Sequence, residues 1–202
     1  MIYPPLPLDR DLRGYHGAEP NIRWPNGAQL AVSIVVNIEE GAELSIAAGD
    51  ASNEFIYEAV ERVEGSRDLC MESHYAYGAR RGWARIRSAL KSYGVTATLN
   101  ACGRSLYHSP WIASEAAADG HEISSHGWRW ERQVNMPEAE ERQVIARAVA
   151  AITTAAGTPP VGWHTRSATS VNTRRLLLEH GGFLYDSNAY DDDTPYMVSE
   201  AG

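Results

Sequence analysis

Leu30-Ala31-Val32-Ser33-Ile34-Val35-Val36-Asn37-Ile38, followed by Glu39-Glu40-Gly41, is the stretch whose reading decides the fold. It is apolar almost throughout and gathers its polar residues at one end, the pattern of a parallel strand buried on both faces. In α/β sheets the ligand site lies at the carboxyl ends of such strands, and here two adjacent carboxylates and a glycine stand at that end. An isolated Glu-Glu pair is more often a solvated turn, so the rest of the chain has to carry the argument.

Outward from this strand, strand-like and helix-like segments alternate, which gives an α/β fold. Residues 1–25 are Pro-rich and read as an extended lead-in, and residues 26–202 as one domain. The polar segment Gly41 to Glu54 is long for a connection and reads as a functional loop. Trp83 to Tyr93 is predicted helical and stopped by Gly94, before a strand over Val95 to Leu99 that ends at Asn100. Ser109 and Pro110 open a further helix that Gly120 ends, and His121 to Ser124 is a short strand running into Ser125-His126. Pro137 opens the longest helix, closed by Gly157. Strands over Val161 to His164 and Phe183 to Asp186 flank a helix over Asn172 to His180. Glu39, Glu40, Asn100, His126, His164, Arg166 and Asp186 thus all fall at or just past strand ends, where one rim can gather them.

Composition narrows the function. The chain has 202 residues, 44% hydrophobic and 22% charged, with a formal charge of -8, so nucleic acid is not expected as a partner. No run of apolar residues approaches membrane-spanning length and the first residues lack a signal-peptide pattern, from which a cytoplasmic protein without membrane attachment is expected. Cys70 and Cys102 have neither the number nor the spacing for zinc ligation or a disulfide framework. Trp128, Trp130 and Trp163 are candidate walls of a substrate pocket, although large aromatics more often belong to the core.

The ordered set Asn37-Ile38-Glu39-Glu40-Gly41, Gly120-His121-Glu122-Ile123-Ser124-Ser125-His126 and Trp163-His164-Thr165-Arg166 resembles the first three motifs of the polysaccharide deacetylase, or NodB-homology, family. There the first carboxylate is the general base, the second binds a divalent metal, and two histidines four residues apart complete the metal site. By this resemblance Glu39 is the base, Glu40 the second carboxylate, His126 the first histidine, and Arg166 the arginine that orients a carboxylate. The second histidine position holds Trp130, whose indole N–H cannot ligate. Glu-Glu-Gly with His126-Gly127-Trp128-Arg129-Trp130 is most similar to the metal-independent, allantoinase-like branch, and Met71 to Gly78, Asn172 to Arg175 and Gly181 to Ser187 extend the match.

The resemblance implies a distorted (β/α) barrel of fewer than eight strands, of which this chain supplies about the first five and is incomplete at the C-terminus. It implies a hydrolase of non-peptide C–N bonds with Glu39, Glu40, His126 and Arg166 as catalytic residues and Trp128, Trp130, Trp163, His164, Asn100 and Asp186 around the substrate. The substrate is a ureide or, alternatively, an N-acetylated sugar such as a chitooligosaccharide; an inactive paralogue is the remaining alternative. No cofactor is expected, with zinc on Glu40 and His126 as the alternative, and an unclosed sheet leads us to expect a homo-oligomer.

Overall fold

The computed structural model describes residues 12–15, 17–56 and 61–199. The described residues through Ser33 form one unit, largely exposed and without regular structure apart from a short 3-10 turn at Pro25–Gly27. The residues from Ile34 onward form the other, built on a parallel sheet of five strands. These are β1 (Val35–Ile38), β2 (Thr98–Ala101), β3 (Glu122–Ser125), β4 (Gly162–Trp163) and β5 (Tyr185–Asp186), adjacent in the order in which they occur in the chain. A sheet that never reverses its strand order is wound as a (β/α) barrel is, and lacks the switch point of a doubly wound sheet. The expectation of a partial barrel with five strands is met.

Between the strands run α1 (Leu69–Tyr77), α2 (Trp83–Tyr93), α3 (Gly103–His108), α4 (Pro110–Ala118), α5 (Glu138–Ala156) and α6 (Thr173–His180). Leu99, Ile112 and Ile152 pack together behind the first three strands, and Trp163, Leu176 and Ile145 form a second cluster under β4. Full burial of each such aliphatic side chain contributes about 1.5–3 kcal/mol. Gly103 lets α3 approach α5 closely, because a Cβ there would press into the Ala148 backbone and the Trp128 ring.

The first strand is shorter than its apolar run. Pairing begins where Thr98 N–H donates to Ile34 O, and Leu30 and Val32 are 73% and 75% exposed. Among the described residues β1 is an edge strand with a single neighbour, and of its four residues only Ile38 is buried. An apolar run identifies a strand but not how many of its faces are covered, so the reading of burial on both faces is corrected. β2 starts later than expected because Val95 N–H is used in capping α2, on Leu90 O, and Ala97 N–H reaches His121 Nδ1.

Two helices went unread in the sequence. α1 has no apolar stripe and buries none of its residues, and its start is marked only by Asp68, whose carboxylate accepts from Met71 N–H at 2.9 Å. It continues into a π-helical turn at Gly78–Gly82 that joins it to α2. α3 is a six-residue segment immediately after β2.

Candidate active site

The loops that leave the carboxyl ends of the strands bring several of the expected residues together. Glu39 and Glu40 follow β1, His126 follows β3, and His164 and Arg166 follow β4. His126 is 3% exposed, and its Nδ1 lies 2.6 Å from the carbonyl oxygen of His164. A carbonyl only accepts, so Nδ1 carries a proton and the ring's lone pair is on Nε2. That atom faces Glu39 Oε1 at 3.2 Å. Two bare lone pairs would repel there, so the contact requires one proton between carboxyl and imidazole.

The two glutamates diverge. Glu40 accepts the Glu39 N–H at 3.2 Å, and its carboxyl group lies against Gly78 in the π turn, where any Cβ would overlap it. Burial pushes Glu40 above the usual carboxylate range, countered by the backbone N–H groups it accepts. The contact to His126 is therefore made by Glu39, and Glu40 is the carboxyl held toward its neutral form. Gly41 supplies the positive φ of 87° that turns the chain after the pair.

His164 stacks on His126 with ring centroids 5.3 Å apart and planes 14° from parallel. Its Nδ1 bonds to Ser187 O at 2.9 Å, and burial, then the neighbouring imidazole, lowers its pKa. The β4 loop that carries it is fixed by a buried chain in which Trp163 Nε1–H donates to Thr165 Oγ1 and Thr165 Oγ1–H donates to Gln133 Oε1.

Among the described residues Arg166 makes no hydrogen bond to Glu39 or Glu40. Its guanidinium lies 3.4 Å over the Trp130 ring, donates to Trp130 O at 2.6 Å, and reaches Glu54 Oε1 at 3.4 Å. Glu54 ends the long loop and is itself 8% exposed. Arg166→Met is expected to leave that carboxylate buried without its cation and to lower stability by about 1–3 kcal/mol in denaturant unfolding, whereas Arg166→Lys should recover part of the loss.

The same arrangement tests whether a divalent ion fits. The residue four positions after His126 is Trp130, which offers no lone pair, and its ring face is already covered by a guanidinium cation. Among the described residues no group of three or more His, Cys, Asp or Glu is placed to hold a metal ion. The residues present do not fit the two-histidine site of the resemblance.

Four of the expected substrate residues stand elsewhere. Trp163 is fully buried in the core against Phe183, so its assignment to a pocket wall is corrected; it packs with Ile145 and Leu176 of the helices. Trp128 is 9% exposed, with Arg147 stacked 3.8 Å over its ring, and lines a separate cavity of about 500 Å³ with Arg104 and Glu131. Asp186 is taken up by Arg174 Nε at 3.0 Å and by Asn188. Asn100 is buried within β2, in register with Asn37 and Ser124. Sequence reasoning gave no role to Glu54, Tyr75 or Gly78; the unusual length of the Gly41 to Glu54 loop signalled the first, and the match over Met71 to Gly78 spanned the other two.

That loop is pinned by Arg129, which donates to both oxygens of Asp50 at 2.7 and 2.6 Å and to Glu43 O at 2.7 Å. The guanidinium holds Asp50 down to about 2, from an ordinary 3.8. A depressed carboxylate pKa stabilises the fold above the unfolded value and loses that contribution as pH falls through it, here between about pH 4 and pH 2. Because the pair is partly solvated, the loss is expected to be on the order of 1 kcal/mol, and acid unfolding of Asp50→Asn should lack it.

With the geometry in view, comparison with known proteins is direct. The family model for polysaccharide deacetylase matches residues 70–183, more than half of the chain. The chain belongs to the polysaccharide deacetylase family. The crystal structure of a probable polysaccharide deacetylase from Pseudomonas aeruginosa PAO1 is 43% identical with a TM-score of 0.86, covering 94% of this chain and 64% of that one. The crystal structure of PuuE allantoinase is 41% identical with a TM-score of 0.85, covering 94% of this chain and 63% of that one. The peptidoglycan deacetylase of Helicobacter pylori (strain ATCC 700392 / 26695) is 32% identical over 119 residues, 58% of this chain and 40% of that protein. The chain thus spans less than two thirds of the length of each of these relatives. Among the described residues no helix is long and apolar enough to cross a membrane.

Proposed function

We propose that the protein is a hydrolase of non-peptide C–N bonds that opens a ureide ring without a metal ion. The observation that carries this reading is the Glu39–His126 contact, in which Nδ1 is committed to a carbonyl and Nε2 shares a proton with a carboxyl group. Glu39 accepts a proton from water as the oxygen attacks the carbonyl carbon. His126 Nε2 gives the proton it shares to the departing nitrogen as the C–N bond breaks, and the proton taken from water restores the shared one, leaving a carboxyl group and an N–H. The two groups lie in contact, so the pair serves both halves of the reaction. Glu40, whose pKa burial raises, lies against the helix at Gly78 and away from this contact.

The absence of a second histidine, with Arg166 covering Trp130 instead, favours metal-free chemistry and the ureide. The likeness to PuuE allantoinase supports the same choice, while the similar likeness to the P. aeruginosa protein supports the N-acetyl sugar as the second reading. Product formation from allantoin and from N,N′-diacetylchitobiose, measured in the intact protein that carries this sequence with and without chelator, tests the proposal. Turnover of allantoin that is indifferent to chelator is expected. Loss of turnover on chelation, or consumption of the sugar alone, would overturn it.

A further inference from the structure

The hydroxyl of Tyr75 is shut off from solvent and has no hydrogen-bond partner among the described residues. Leaving such a group unsatisfied costs about 1–3 kcal/mol, and in folded proteins an orphan of this kind calls for a reason. Its surroundings supply one. The Tyr75 ring meets the Trp130 ring edge-on at 6.3 Å, and Trp130 holds Arg166 by both its ring and its carbonyl. Three residues further along the helix, on the same face, Gly78 is the position against which the Glu40 carboxyl lies. One helical turn thus carries both the phenol that meets Trp130 and the position against which the Glu40 carboxyl lies.

We propose that Tyr75 is a further catalytic residue, whose O–H donates to the oxygen of the carbonyl under attack and stabilises the negative charge that develops there. The proposal rests on the hydrolase reading above. The donor lacks an acceptor in the free protein, and the substrate brings one. A group aimed at charge that exists only in the transition state lowers the barrier without tightening ground-state binding. Burial, followed by the negative charges of Glu54, Glu43 and Glu39, raises the phenol above its ordinary range, so it remains a donor at neutral pH. Arg166, beside it, adds positive charge on the same side.

The test is Tyr75→Phe in the intact protein, read by steady-state kinetics on allantoin and on N,N′-diacetylchitobiose and by thermal unfolding. We expect kcat to fall by about 10²–10³-fold with KM changed by less than about threefold, and the unfolding midpoint to stay level or rise, since the variant removes an unsatisfied hydroxyl and no bond. A kcat within about threefold of the parent would overturn the role of Tyr75 and leave the hydrolase reading standing. A fall of several degrees in the midpoint would show that the hydroxyl has a structural partner and would likewise overturn it. A parent protein that turns over neither substrate would overturn the hydrolase reading, and this proposal with it.

Discussion

Glu39→Gln is expected to reduce turnover by about 10²–10⁴-fold, the usual contribution of a positioned general base, while the fold and substrate affinity survive. The amide keeps the size of the carboxyl group but cannot take a proton from water. It also changes the contact with His126. The side-chain NH₂ can donate to Nε2, so the 3.2 Å approach persists while the shared proton is lost. Structure is thereby separated from chemistry: kcat should collapse with an unfolding midpoint close to that of the parent. A loss of less than about threefold in kcat would remove Glu39 from the base role, and Glu40→Gln measured alongside would show whether the neighbouring carboxyl had taken it over.

Gly78→Ala is expected to destabilise the protein by about 1–3 kcal/mol and to lower kcat/KM by about tenfold or more. The sign is what makes the experiment informative. Alanine in place of glycine inside a helix ordinarily stabilises by up to about 1 kcal/mol, and Gly78 has an ordinary helical backbone conformation. Here the added methyl group would occupy the space of the Glu40 carboxyl, so either that side chain leaves its slot or the helix moves away from the β1 loop. The double variant Gly78→Ala/Glu40→Ala should recover most of the stability, because the collision disappears with the carboxyl. Stability that does not recover, in a thermal or denaturant melt, would place the damage in the π turn itself.

Much of the architecture was legible because strand ends and helix stops carry local chemistry. Gly94 and Gly157 end their helices in the left-handed conformation, as the stop signals implied, and His126 and Arg166 lie just past strands whose apolar residues announced them. What was not legible depends on partners distant in sequence. The run Leu30 to Ile38 reads the same at the edge of a sheet as at its centre, and only the strand order shows that β1 has one neighbour. Trp163 and Trp130 are equally aromatic, yet one fills the core and the other lies under Arg166, because β4 carries the first against Ile145 and Leu176 and the loop after β3 carries the second to the site. Tyr75 and Gly78 lay within the matching segment Met71 to Gly78, but neither their helix nor their role was legible, since a helix with no apolar stripe offers no period.

The π turn at Gly78–Gly82 sets the phase of the rod it interrupts. An α-helix advances about 100° per residue, so one residue accommodated in a wide turn rotates everything beyond it by about that amount relative to an unbroken helix. On one side of the turn Tyr75 faces Trp130, and on the other Trp83 faces the core, donating its indole N–H to Glu115 at 2.8 Å. The two halves answer to different neighbours, and the turn reconciles their angular settings. Residue count between Tyr75 and Trp83 is therefore a constraint in its own right. Deleting Ala79 would leave every named side chain in the protein and still detune it, since the half that grips the core would no longer point the other half at the carboxylates.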